Sequence, residues 1–421
     1  MQTERAGGIG PLMATFLVTT TMIGSGIYML PAVAAPLGSI AILGWLFAAL
    51  GAIVVGLTLA FLAQADCGSS FLESIGRQLG PVTGLAATVF YQLSVLVSLP
   101  MVAVAAAGYT GFLFPAAAQH LGKLWIAIGF IWLFVAIAWG GARLIARFGS
   151  VSLIVGLVPI LLLATLGWRH FDMDLFRASW NISGQPDAAA ALQSTIILFM
   201  AYLGLETASV VCIHIRNPER NVPIATVGGI AIATLVYIAS TTVISGLIPA
   251  ATLAKSAAPF ADAAVLMFGT IAAVAVAACA AAKAAGTLGA LQLAMVEAVV
   301  VMRRQMDGGA ASRGFANIGI GVLATLLAFA TDSPDLAAQF GLLSSAVVSF
   351  SFFCFILAGI ALARLSTGLK RVTGLLASAI CLGLTLAQPA EALRLTGWLL
   401  AGTLLLVLAL LAWRRRALAA A

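Results

Sequence analysis

Apolar residues fall in long, nearly uninterrupted runs at roughly 10–36, 40–64, 82–115, 123–142, 145–168, 188–213, 222–248, 261–301, 315–331, 336–363, 370–387 and 394–413. Each run approaches or exceeds the ~20 residues that a helix needs to cross the hydrocarbon core. Short polar segments separate them. The pattern predicts an all-α integral membrane protein of about twelve transmembrane helices, because a helix satisfies its own backbone in lipid. The run 261–301 has about twice the length of one span. It predicts a helix that projects beyond the membrane or begins with a non-helical stretch.

Two runs are interrupted near mid-membrane, span 1 by Ile23-Gly24-Ser25-Gly26-Ile27 and span 6 by Leu203-Gly204-Leu205-Glu206-Thr207. The expected division is two five-span repeats, 8–168 and 187–364, with 365–421 holding spans 11 and 12 and a basic C-terminus. Both interruptions then occupy equivalent places. An odd number of spans per repeat forces the two halves into opposite orientation. Matched interruptions in inverted halves point to a substrate site at the midplane. The alternative is that Gly and Ser merely let helices approach closely, in a chain holding 42 glycines.

Composition supports the membrane reading. Of 421 residues, 62% are hydrophobic and 8% charged, too few charges for a water-facing surface. The net charge of +7 is spread over many inter-helix segments and forms no single basic face, so nucleic acid is not an expected partner. With a cytoplasmic N-terminus, fifteen Lys and Arg fall on inside segments and five (Lys123, Arg169, Arg177, Lys255, Arg394) on outside ones. That imbalance predicts both termini inside. The first run lacks a basic leader and a cleavage site, and reads as an uncleaved span. Five scattered cysteines and three loop histidines show no ligand spacing, so neither metal nor cofactor is expected. Nothing resembles a nucleophile–base pair, a soluble sensor output domain or a ring-lined channel. A secondary transporter remains.

A broken helix exposes unpaired backbone groups. The half-helix after Gly26 offers free N–H groups and a positive dipole end to a carboxylate, and Ser25 adds a hydroxyl. Carbonyls freed around Leu203 suit an ammonium. Together they make a receptor for the backbone of an amino acid. Glu206 and Lys283 are charges deep within spans, where charge is costly and normally faces a cavity or partner. Glu206 could carry a proton, answer a cation or cap the broken backbone. Lys283 shares a helix face with Thr287 and Leu291 at i, i+4, i+8. It reads as a fixed cation, a proton carrier, an anion contact or a snorkelling side chain.

The stretches MIGSGIYMLPA (22–32), WNISG (180–184), QSTIILFMAYLGLETASV (193–210), RNPERNVPIATVGG (216–229), ASTTVISGLIPAATLAKSAAPFADAA (239–264) and QFGLLSS (339–345) resemble the amino acid–polyamine–organocation superfamily. Within it they are most similar to the bacterial arginine/agmatine antiporter group. The resemblance covers about 8–365. It implies a LeuT-type five-plus-five inverted repeat with helices 1 and 6 broken, alternating access, a bacterial inner (plasma) membrane and often a homodimer. It places carboxylate binding at Ile23, Gly24, Ser25 and Gly26, with Met22 and Ser94 completing the neighbourhood. It places the second break at Leu203, a gating carboxylate at Glu206 and its partner at Tyr91. The second gate tyrosine corresponds to Phe355.

Three departures concern the cargo. The tryptophans that face a guanidinium in the arginine-type antiporters correspond to Met200 and Leu291, and the asparagine that reads the substrate head corresponds to Leu99. Each lost cation–π face removes about 0.5–2 kcal/mol of attraction. Lys283 stands at a small-residue position of the family, one turn from Thr287, where sodium-coupled members hold their ion. The expectation is a sodium-independent permease or antiporter for a neutral amino acid. The alternative is an arginine/agmatine-type or other basic amino acid or polyamine exchanger.

Overall fold

The computed structural model describes residues 8–65, 70–139, 142–307 and 313–390, with scattered positions between 392 and 412. Among them, nine helices are long and apolar enough to cross a membrane, and ten if the bent pair Pro115–Leu121 and Lys123–Trp139 forms one span. Span 1 is not among these because its halves are short, Pro11–Met22 and then Gly26–Leu37 in three brief turns. Every predicted run up to 370–387 therefore has its helix. The predicted twelfth span, 394–413, lies largely outside the described residues.

The long run 261–301 is two helices. Pro259–Phe268 ends at Gly269, whose φ of +80° favours glycine, and Thr270–Asp307 begins immediately after. The excess length thus comes partly from a separate helix preceding span 8, and partly from a span 8 of 38 residues.

Span 1 packs against span 7 (Pro218–Ser245), and span 6 against span 2 (Ala41–Ala65). Span 8 lies against span 3 (Pro81–Leu113) and span 5 (Ala142–Leu166), and span 10 (Leu336–Leu365) against spans 3 and 11 (Gly368–Leu386). Small residues set these contacts, as expected where lipid removes the hydrophobic drive between helices. A Cβ at Gly286 of span 8 would strike the Ser152 hydroxyl of span 5, and one at Gly359 would strike the Gly374 carbonyl of span 11. An amphipathic helix, Phe71–Leu79, joins spans 2 and 3 and starts with a reciprocal Ser70–Glu73 capping box.

Candidate functional site

The helix of span 1 stops at Met22. Ile23 N still donates to Thr19 O at 2.9 Å, and Gly24 N folds back on Met22 O at 2.6 Å. Bonding resumes at Tyr28 N to Ser25 O, 3.3 Å, and Met29 N to Gly26 O, 3.1 Å. The amides of Ser25, Gly26 and Ile27 fall in the gap as donors, the geometry that suits an anion. Ser25 is buried.

Gly26 allows a close approach. A Cβ there would lie 2.5 Å from Met200 Cε and 2.9 Å from its Sδ. The Met200 thioether of span 6 therefore lies across the span 1 cradle. The Phe340 ring of span 10 stands 4.0 Å from the same point. Phe340 was not singled out from the sequence; its signal was its place in the stretch QFGLLSS.

Span 6 breaks differently. The helix Asp187–Phe199 tightens into a turn at Met200–Tyr202, then Leu203 is extended (φ −62°, ψ 134°). Gly204 follows with φ +106°, and helix resumes at Thr207–Val210. The Glu206 carboxylate closes this break. Its Oε2 accepts from Gly204 N at 3.0 Å, and its Oε1 accepts from the Tyr91 hydroxyl of span 3 at 3.2 Å. The Thr207 hydroxyl donates to Gly204 O at 2.6 Å. The two breaks adjoin, since a Cβ on Gly204 would lie 3.2 Å from Thr21 Cγ2 at the end of the first half of span 1.

Tyr91 meets Phe71 edge-on at 5.7 Å. Ser94, one turn along span 3, is buried and donates to Tyr91 O. Met22, Leu99 and Phe355 are buried, and Leu291 is half-buried. Phe355 makes no ring contact with Tyr91 among the described residues.

Lys283 lies elsewhere. It is 7% exposed, and its stem crosses Gly156 of span 5, where a Cβ would meet its Cβ, Cγ and Cδ at 2.5–2.9 Å. It makes no ion pair among the described residues. The Thr287 hydroxyl donates to Lys283 O at 3.0 Å. Gly156 O also accepts from the hydroxyl of Tyr28, just beyond the span 1 break. Tyr28 O in turn accepts from Tyr109 of span 3 at 2.9 Å, and Phe260 N donates to the Tyr109 hydroxyl at 3.3 Å. These bonds anchor the second half of span 1 to spans 3 and 5 and to the helix Pro259–Phe268. Sequence reasoning missed this role for Tyr28 and Tyr109, because it depends on partners more than 80 residues away.

Comparison with known proteins now decides the family. The pattern of the family described as "Amino acid permease" matches residues 9–413, nearly the whole chain. The chain belongs to the amino acid permease family. Similar members of this permease superfamily include the cadaverine/lysine antiporter of Escherichia coli K12, 32% identical over 265 residues. That match covers 63% of this chain and 60% of the relative, so it spans less than two thirds of that protein. The putrescine transporter PotE of Escherichia coli K12 is 31% identical over 379 residues, 86% of this chain and 84% of the relative. PotE of Haemophilus influenzae is 34% identical over 270 residues, 63% of this chain and 61% of the relative. The permease fold, multi-pass and all-helical, matches the architecture described above.

Proposed function

We propose that this permease is an antiporter that exchanges an aliphatic amine or basic amino acid across the membrane by alternating access. The observation that carries the reading is the meeting of two broken helices, one presenting free amides at Ser25–Ile27 and the other a carboxylate at Glu206. The amides suit a substrate carboxylate, and Glu206 suits a substrate ammonium or a competing proton. The names of the relatives support a cationic cargo over the neutral amino acid expected from Met200, Leu99 and Leu291. The physical reason is the shape of a diamine or lysine. Its methylene stem needs an apolar wall, the part assigned to these three residues in this proposal, and it has no planar guanidinium to stack on tryptophan. The apolar substitutions therefore disfavour arginine without disfavouring a linear amine.

Neutral amino acids remain the second reading, favoured by the Met200 thioether over Gly26. Counterflow of labelled substrates in proteoliposomes separates the two. Lysine, cadaverine or putrescine on the trans side should accelerate exchange most. Leucine-type substrates as the strongest accelerators would favour the second reading, and no counterflow with any amine or amino acid would refute the carrier.

Within this proposal the two repeats, 8–168 and 187–364, move against each other about the breaks. Met22 to Gly26, Ser94, Leu99, Met200, Leu203 and Leu291 surround the cargo, while Tyr91, Glu206 and Phe355 gate it. Lys283 beside Thr287 supplies a fixed positive charge, so exchange runs without sodium; sodium-stimulated uptake by purified protein would overturn this. Arg and Lys placement supports cytoplasmic termini in a bacterial inner membrane, and a homodimer is the proposed assembly.

A further inference from the structure

A groove of about 390 Å³ opens between the end of span 4 (Lys123–Trp139) and spans 8 and 9 (Arg313–Ala330). It shares no residue with the two breaks. Leu293 and Val296 form an apolar wall, and Trp139 stands at the mouth with 67% of its surface exposed. Asn317 closes the floor, buried and already committed. Its Oδ1 accepts from Gln292 Nε2 at 2.7 Å, and its Nδ2 donates to Val135 O at 2.8 Å. The floor therefore leaves the polar demand of any occupant to the rim.

The rim is a matched pair of charges. Arg313 Nη2 lies 3.2 Å from both Glu297 oxygens, and the two side chains stay 68% and 44% exposed. Among the described residues, the remaining guanidinium donors of Arg313 make no other hydrogen bond. Span 5 runs antiparallel to span 8, with Ser152 at Gly286 and Ile145 at Gly289. That register carries the exposed Arg143 to the level of Leu293. The groove thus lies at the arginine-rich end of the bundle, with an indole where tryptophans prefer the headgroup layer.

We infer that this groove is a phospholipid site selective for phosphatidylethanolamine. The phosphate fits the free donors of Arg313, in the charge-assisted geometry that guanidinium groups favour. The primary ammonium fits Glu297, and an acyl chain lies along Leu293 and Val296. A headgroup of net negative charge would set its excess charge beside Glu297 with no ammonium to offset it. A choline headgroup has no N–H to donate to it. The inference rests on the membrane fold and the local charges, and is independent of the proposed cargo.

Native mass spectrometry of the full chain, titrated with single phospholipids, tests it. Phosphatidylethanolamine should bind about tenfold tighter than phosphatidylcholine, the scale of one hydrogen bond to a charged group. On the wild-type protein, stepwise N-methylation of the headgroup should erode that preference, with the largest drop at the third methyl. Glu297→Gln should abolish the preference over phosphatidylglycerol, and Arg313→Gln should weaken all phospholipids, whereas Arg371→Gln on span 11 should change neither. Equal binding of ethanolamine and choline lipids overturns the inference, as does tighter binding of phosphatidylglycerol. The methylation series on wild-type protein decides the matter even if a variant fails to fold.

Discussion

The two helix breaks at the candidate site solve the same backbone problem in opposite ways. Among the described residues, the span 1 break leaves the amides of Ser25, Gly26 and Ile27 without backbone acceptors. The span 6 break carries its own remedy, since Glu206 accepts from Gly204 N and Thr207 donates to Gly204 O. Buried backbone groups cost free energy unless paired. In the proposed antiport, one break is completed from outside by a ligand group, and the other is held closed by a side chain that a cation or proton calls away. The proposed antiport needs both behaviours: a receptor that waits and a latch that releases.

Four substitutions test that contrast, from the largest expected effect to the smallest. Glu206→Gln keeps the size and one acceptor but removes the charge proposed to answer a substrate ammonium. Exchange in proteoliposomes should fall by about a hundredfold or more, the scale of an unanswered charge in a desolvated site; exchange within threefold of wild type would break the comparison. Gly204→Ala forces a side chain into a positive-φ position 3.2 Å from Thr21. A cost of about 1–3 kcal/mol is expected for such backbone strain. It should appear as a lower thermal unfolding midpoint, with a slower exchange rate.

Tyr91→Phe removes one hydrogen bond to the Glu206 carboxylate. A bond to a charged group contributes about 1.5–3 kcal/mol, so maximal exchange should drop about tenfold with a smaller change in apparent KM. Ser25→Ala removes one neutral hydroxyl from the span 1 cradle while leaving its amides. At about 0.5–1.5 kcal/mol, the apparent KM for lysine should rise roughly threefold to tenfold with the rate nearly unchanged. A rate effect at Ser25 equal to that at Tyr91 would mean that both breaks act as gates, and the distinction would fail.

Much of this site was legible from residue order. Gly24-Ser25-Gly26 and Gly204 announced both breaks, and Glu206 announced a midplane charge. Its pairing with Tyr91, 115 residues away, came through family resemblance, since no local rule connects those positions. The cargo reading shows the limit of substitution logic. Met200, Leu99 and Leu291 suggested a neutral amino acid because they lack aromatic faces, yet an apolar wall serves the stem of a diamine equally well. Lys283 was visible as an anomaly, but its course across Gly156 and the Tyr28 hydroxyl on the same carbonyl were not.

The amino-acid sequence by itself determined the solvent of this protein, the rough limits of its first eleven spans and the two places where helices break. Those properties are local: apolar run length sets a span, and glycine permits the backbone to leave the helix. Tertiary structure alone decided that Met200 covers Gly26, that Gly269 separates a short helix from span 8, and that Arg313 and Glu297 share the rim of one groove. Such contacts depend on how close small residues let each pair of helices come and on which register they lock, and that depends on the whole bundle at once.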